Sequence, residues 1–162
     1  MALSEMAHII GKDYTNTKIM PILMDLLKDD NSEVKMNVCN GLQKVALVIG
    51  PDVLSAAFIN TLTTMTKEAQ WRVRMAVFEL VGELSKIFPK EVFQKQLEGL
   101  FLSYLSNTAA SVRETGIKKV KELADKYKSE WVVNSFIPKV NEVYNTDKQG
   151  YNYRMCCLQS LQ

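Results

Sequence analysis

The chain has 162 residues, 47% of them apolar and 23% charged, with a formal net charge of +2. This is the composition of a globular domain long enough to bury a core. So small a net charge gives no electrostatic reason to expect a nucleic-acid or membrane partner, and no apolar run reaches the ~20 residues a helix needs to cross a bilayer.

In chain order, residues 2–11 read as a short helix stopped by Gly11, followed by a polar link over 12–17. The N-terminus lacks the charged and apolar regions of a signal peptide. An apolar segment over 19–27 carries Pro21 near its start, where a first-turn proline gives up no helical hydrogen bond. After a turn at 28–31, Ser32 is positioned to cap a helix over 33–48, which Gly50–Pro51 closes. The cycle then repeats: helices over 54–65 and 71–88, over 91–105 and 112–126 with Ser111 as cap, and over 131–144 with Pro138. A last helix runs from Tyr151 onward. No segment alternates over strand length between turn residues, so no sheet is expected.

The second helix of each pair begins on a hydrophobic or aromatic residue followed by a base: Val34–Lys35, Val73–Arg74, Val112–Arg113 and Tyr153–Arg154, at steps of 39, 39 and 41 residues. Four residues past the first member lie Val38, Val77, Gly116 and Cys157; eight past lie Leu42, Val81, Val120 and Leu161; eleven past lie Val45, Leu84 and Leu123. At 3.6 residues per turn these steps stay on one helix face. A single hairpin cannot bury such a face, whereas stacked copies share a continuous core. Helix pairs of about 40 residues predict an all-α α-α superhelix of HEAT type. Three complete repeats are expected at 18–50, 52–89 and 91–128, with 1–12 as the end of a preceding repeat and 131–162 as a truncated one. Neither end has the polar cap of a solenoid, so a piece of a longer array with end faces prone to end-to-end association is expected.

Six residues before the bases Lys35, Arg74 and Arg113 stand Asp29, Glu68 and Asn107; the fourth copy has Lys148 beside Asp147. Pairing within and between repeats would make a charge ladder that fixes register, although exposed pairs contribute only about 0–1 kcal/mol.

Catalytic patterns are missing. There is no phosphate-binding glycine loop, metal-ligand spacing or nucleophile turn, so no enzyme, cofactor or metal is expected. The odd set Cys39, Cys156 and Cys157 predicts free thiols in a reducing compartment. His8 reads as an ordinary helix residue. Lysines 118, 119, 121, 126 and 128, interrupted by Glu122 and Asp125, read as a solvated helix face. The turns inside the hairpins should align along one edge, a natural partner surface. There Trp71 stands two residues before its anchor Val73, as Ser32 and Tyr151 stand before theirs, with Ser111 directly before Val112. A tryptophan cannot cap, so it either packs locally or meets a partner. Trp131 is expected to pack on the neighbouring repeat.

Several stretches carry a resemblance across nearly the whole chain. They include Leu27–Lys28–Asp29, Glu33–Val34–Lys35–Met36–Asn37, Trp71–Arg72–Val73–Arg74–Met75–Ala76, Ile137–Pro138–Lys139–Val140 and Tyr151–Asn152–Tyr153–Arg154–Met155. Together they resemble the later HEAT repeats of the scaffold (A, 65 kDa regulatory) subunits of protein phosphatase 2A. That resemblance implies a non-catalytic scaffold, in cytoplasm and nucleus, that binds the phosphatase catalytic subunit through its intra-repeat turns. It implies that regulatory subunits bind only repeats outside this sequence. It assigns partner contacts to Trp71, Arg72 and Tyr151, and weaker ones to Asp29, Glu68, Arg154 and Met155. The turn Ser106–Ser111 departs from the family pattern and receives no contact. The rival readings are a HEAT adaptor of nuclear-transport-receptor type and a nucleic-acid-binding array using the lysines of 118–128.

Overall fold

The computed structural model describes residues 2–53, 55–146 and 150–161. Its α-helices are α1 (Ala2–Ile10), α2 (Lys12–Tyr14), α3 (Met20–Leu26), α4 (Ser32–Ile49), α5 (Ala56–Met65) and α6 (Trp71–Ile87). They continue as α7 (Lys90–Gln96), α8 (Glu98–Leu102), α9 (Ala110–Trp131), α10 (Ile137–Tyr144) and α11 (Tyr151–Ser160). No strand occurs among the described residues. The fold is an all-α helical repeat. The second helices pack side by side in sequence order, α1 on α4, α4 on α6, α6 on α9 and α9 on α11. Each first-helix segment lies against its own partner: α3 on α4, α5 on α6, the 3-10 turn Ser103–Ser106 on α9, and α10 on α11.

The apolar face repeating along the second helices is the core. Val38, Leu42, Val45, Val73, Val77, Val81, Leu84, Val112, Val120, Leu123 and Cys157 are all buried. The first anchor Val34 and the last, Tyr153, are half-buried, and Leu161 is 54% exposed. Gly116 takes a slot that valine fills in two other copies because the Tyr104 ring is already there. A Cβ on Gly116 would lie 2.2 Å from that ring. The large ring and the missing side chain are one volume-conserving solution.

The first helices differ from their expected form. The link over 12–17 is helical: α2 begins at Lys12, directly after Gly11 turns the chain with φ 82°. The Thr15 hydroxyl donates to the Gly11 carbonyl at 2.7 Å. Pro21 therefore sits inside a helical rod rather than at its start. A proline there lacks an N–H and crowds the preceding turn, and the strain is absorbed by a π-helical turn at Thr15–Ile19. The same device recurs at Val132–Phe136, just before Pro138.

The caps also move. Asn31, not Ser32, caps α4, its side-chain oxygen accepting from the Glu33 amide at 2.8 Å. Ser111 lies inside α9, whose N-cap residue is Ala109, with no side-chain cap. At the far ends, α4 stops at Gly50 with φ 72° and α6 stops at Phe88, held extended by Pro89. The straight part of α9 ends at Lys128, whose φ of 64° and ψ of −173° are essentially glycine territory. Residues 11, 50, 89 and 128 are thus equivalent junctions, solved by glycine, glycine, proline and a strained lysine.

Candidate functional site

The turns inside the hairpins lie between α3 and α4, α5 and α6, the 3-10 turn and α9, and α10 and α11. Each is built by short local bonds. In the first, Asp29 Oδ1 accepts from the Asn31 amide at 2.7 Å. In the third, Asn107 Oδ1 accepts from the Ala109 amide at 3.1 Å. In the fourth, Thr146 Oγ1 donates to the Glu142 carbonyl at 2.7 Å. Asp147 and Lys148, expected to carry the charge of that turn, lie outside the described residues.

The bases at the starts of the second helices join consecutive turns. Lys35 Nζ lies 2.5 Å from Glu68 Oε1, with side chains 12% and 31% exposed. Arg74 donates from Nη1 to the Glu68 and Ala69 carbonyls at 2.5 and 2.9 Å. It also donates from Nε to Asn107 Oδ1 at 3.2 Å and from Nη2 to Thr108 Oγ1 at 3.4 Å. Arg113 donates to the Asn107 and Thr108 carbonyls and lies 5.4 Å over the Tyr153 ring. Side-chain contacts therefore run to the following repeat, while backbone contacts stay in the residue's own turn. The carboxylates of Asp29 and Glu68 are not paired with the bases six residues on, because those bases reach across the stack instead.

Two grooves lie between these turns at equivalent places. The first, about 390 Å³, is lined by Leu27, Lys28, Lys35, Met65 and Glu68 among others. The second, about 240 Å³, is lined by Thr66, Lys67, Arg74, Ser106, Asn107 and Thr108.

Trp71 is the first residue of α6 and half-buried; Arg72 is exposed, its guanidinium 5.0 Å from the Trp71 ring centroid. This cation–π pair holds a flat, amphipathic plate at the edge of the second turn. Tyr151, the first residue of α11, is 73% exposed. Arg154 is exposed and Met155 half-buried on the same helix. Trp71 and Arg72 are in contact; Tyr151, Arg154 and Met155 form a separate group two repeats further on. Trp131 is fully buried, donates from Nε1 to Glu98 Oε1 at 2.5 Å and stacks on Phe136.

A second polar network crosses the second helices. Glu83 accepts from Lys119 at 2.6 Å, Lys86 at 2.9 Å and Gln43 at 3.2 Å, and Lys86 also reaches Glu122 at 2.8 Å. Burial pushes the Glu83 carboxyl up, but the ammoniums of Lys119 and Lys86 more than reverse it and hold it below the ordinary value. The Lys86 hydrogen bond lowers Glu122 against an opposing burial effect. Lys126 donates to the Ser85 and Phe88 carbonyls, and burial lowers its ammonium. Lys119, half-buried, is thus a structural bridge between repeats; Lys126 also reaches across to the preceding repeat but stays exposed, and Lys118, Lys121 and Lys128 are exposed as a solvated face would be. The sequence did carry one sign of the Lys119 bridge: Gly82 lets the Lys119 stem cross α6, since a Cβ there would meet it at 2.8 Å.

Burial pushes the thiols of Cys39 and Cys156 up to about 12 and about 11, and raises Cys157 as well, so all three are held as unreactive thiols. His8 is exposed. Among the described residues no group of His, Cys, Asp or Glu has the arrangement of a metal site, and no helix is long and apolar enough to cross a membrane.

A search of curated proteins finds no match. A family model, that of the HEAT repeat, matches residues 19–49, which cover α3 and α4. With the stacked helix pairs on either side of that match, the chain is an all-α helical repeat of the kind that serves as a protein-interaction scaffold.

Proposed function

We propose that this chain is a non-catalytic scaffold that binds the catalytic subunit of a serine/threonine phosphatase along the edge formed by its intra-repeat turns. The observation that carries this reading is the Trp71–Arg72 plate. An indole at the first position of a helix caps nothing, and here it is presented at the turn edge with a guanidinium over its face. Tryptophan and arginine are the side chains most often found as anchors in protein interfaces. The resemblance of the surrounding stretches to protein phosphatase 2A scaffold subunits supplies the partner. Tyr151 extends the contact to the fourth turn, with Arg154 and Met155 beside it. Asp29 and Glu68 border it, each with an oxygen already engaged within the protein. The protein acts in cytoplasm and nucleus by assembling the holoenzyme.

Of the lysines that a nucleic-acid-binding array would use, Lys119 and Lys126 are engaged within the stack. The scaffold reading is tested by calorimetric titration of the catalytic subunit with Trp71→Ala and Arg72→Ala. Each substitution should weaken binding by about 2 kcal/mol, roughly thirtyfold, while leaving thermal stability nearly unchanged. Unaltered affinity in both variants would remove these residues from the interface.

A further inference from the structure

The groove between the second and third turns holds two cations and no anion. Arg74 is only 9% exposed, yet each oxygen it meets is neutral: two carbonyls, the Asn107 amide and the Thr108 hydroxyl. Lys67, on the same groove, is exposed. Among the described residues neither makes an ion pair. Burying a charge without a counter-ion is costly. The equivalent groove one repeat earlier avoids that cost, because Lys35 there meets the Glu68 carboxylate. The rung residue is Glu68 in one copy and Asn107 in the next, and this change from acid to amide leaves the second groove uncompensated. The start of α9 adds positive potential of the same sign, since no side chain caps it.

The unused donors define what fits. Of the five N–H groups of Arg74, Nε and both Nη1 hydrogens are taken, and one Nη2 hydrogen is turned to Thr108 at 3.4 Å. One hydrogen remains, together with the Lys67 ammonium and the groove hydroxyls of Ser106 and Thr108. The two oxygens of one carboxylate can bridge the free Arg74 hydrogen and the Lys67 ammonium. We propose that this groove is a carboxylate site, filled by an Asp or Glu side chain of the protein that docks along the turn edge. The proposal rests on the reading of that edge as the partner surface. It adds the chemistry the partner must bring and places it one groove from the Trp71–Arg72 plate.

The test follows the Arg74 Nε–Hε resonance of the full chain during titration with sodium acetate against sodium chloride at constant ionic strength. A saturable shift is expected. It should weaken about tenfold in Lys67→Ala, the loss of one charge-assisted bond. It should vanish in Asn107→Asp, which supplies a carboxylate from within and keeps both acceptor bonds. Saturating catalytic subunit should suppress the acetate shift. No saturable shift, an undiminished shift in Asn107→Asp, or a shift with inorganic phosphate and none with acetate would each overturn the site. An acetate shift that survives in the complex would overturn the assignment of the carboxylate to the partner. The titration of the free chain involves no phosphatase, so its failure is distinct from a failure of the catalytic subunit to bind.

Discussion

The first and second inter-turn rungs occupy the same place in successive repeats and solve it with different chemistry. Lys35 and Glu68 form an ion pair with one contact. Arg74 spreads hydrogen bonds over two turns and two repeats with no carboxylate among them. A repeat position therefore fixes where a side chain bridges, but not whether the bridge is electrically closed. The closed rung is a matter of register. The open rung holds the turns together and also leaves charge for something else to meet.

The largest effect should separate the two rungs directly. Arg74→Ala removes bonds to both turns from a buried position and should cost about 3 kcal/mol in urea denaturation. Lys35→Met keeps the stem and frees a Glu68 carboxylate that water can reach, so it should cost about 1 kcal/mol. Equal costs would break the comparison.

A smaller effect concerns the junctions behind the turns. Lys128 holds a backbone conformation that glycine adopts freely, so Lys128→Gly should raise stability by about 1 kcal/mol. Gly50→Ala, at the equivalent junction with φ 72°, should lower it by a similar amount. A destabilised Lys128→Gly would show that the lysine side chain, not the backbone, governs that junction.

The smallest effect is a pH dependence in the network that joins Glu83, Lys86, Lys119 and Glu122. The Glu83 and Glu122 carboxyls are held below the ordinary 4.5. Groups with lowered folded values bind protons more readily when unfolded. Their contribution is thus present at neutral pH and is lost as pH falls below 4.5 toward the folded values. Thermal melts should show that loss, and Lys86→Met should reduce its acid-side part. An identical profile in Lys86→Met would exclude this network as its source.

Much of the fold was legible because helix faces obey a fixed period. Val38, Val77 and Val120 announce the buried face without any knowledge of neighbours. Gly11 and Gly50 announce the stops. What depends on the distance between repeats was not legible. Lys35 has Asp29 six residues before it and Glu68 33 residues after it, and spacing alone cannot say which is within 2.5 Å. Lys119 read as solvated because crossing α6 needs a gap, and that gap is a glycine on another helix. Pro21 read as a helix start because a proline inside a helix is normally excluded. A π turn makes room for it, and the apolar pattern carries no mark of such a turn. At the turn edge, Trp71 and Arg72 stood out as departures from the repeat. The groove beside them stayed hidden: Asn107 could be seen to replace an acid, but not that Arg74, 33 residues before it, leans on it.

The Lys126 and Tyr127 contacts bear on how the chain is made. Both donate to the Ser85 carbonyl, and Lys126 also to that of Phe88, so the tail of α6 is completed by residues 38 to 42 positions later. A ribosome adding about 5–20 residues per second delivers them only after roughly 2–8 s. During that interval α6 has emerged but its last carbonyls are bonded to water. Each nascent repeat waits on its successor, and translation speed sets how long every unfinished helix end stays open to a chaperone.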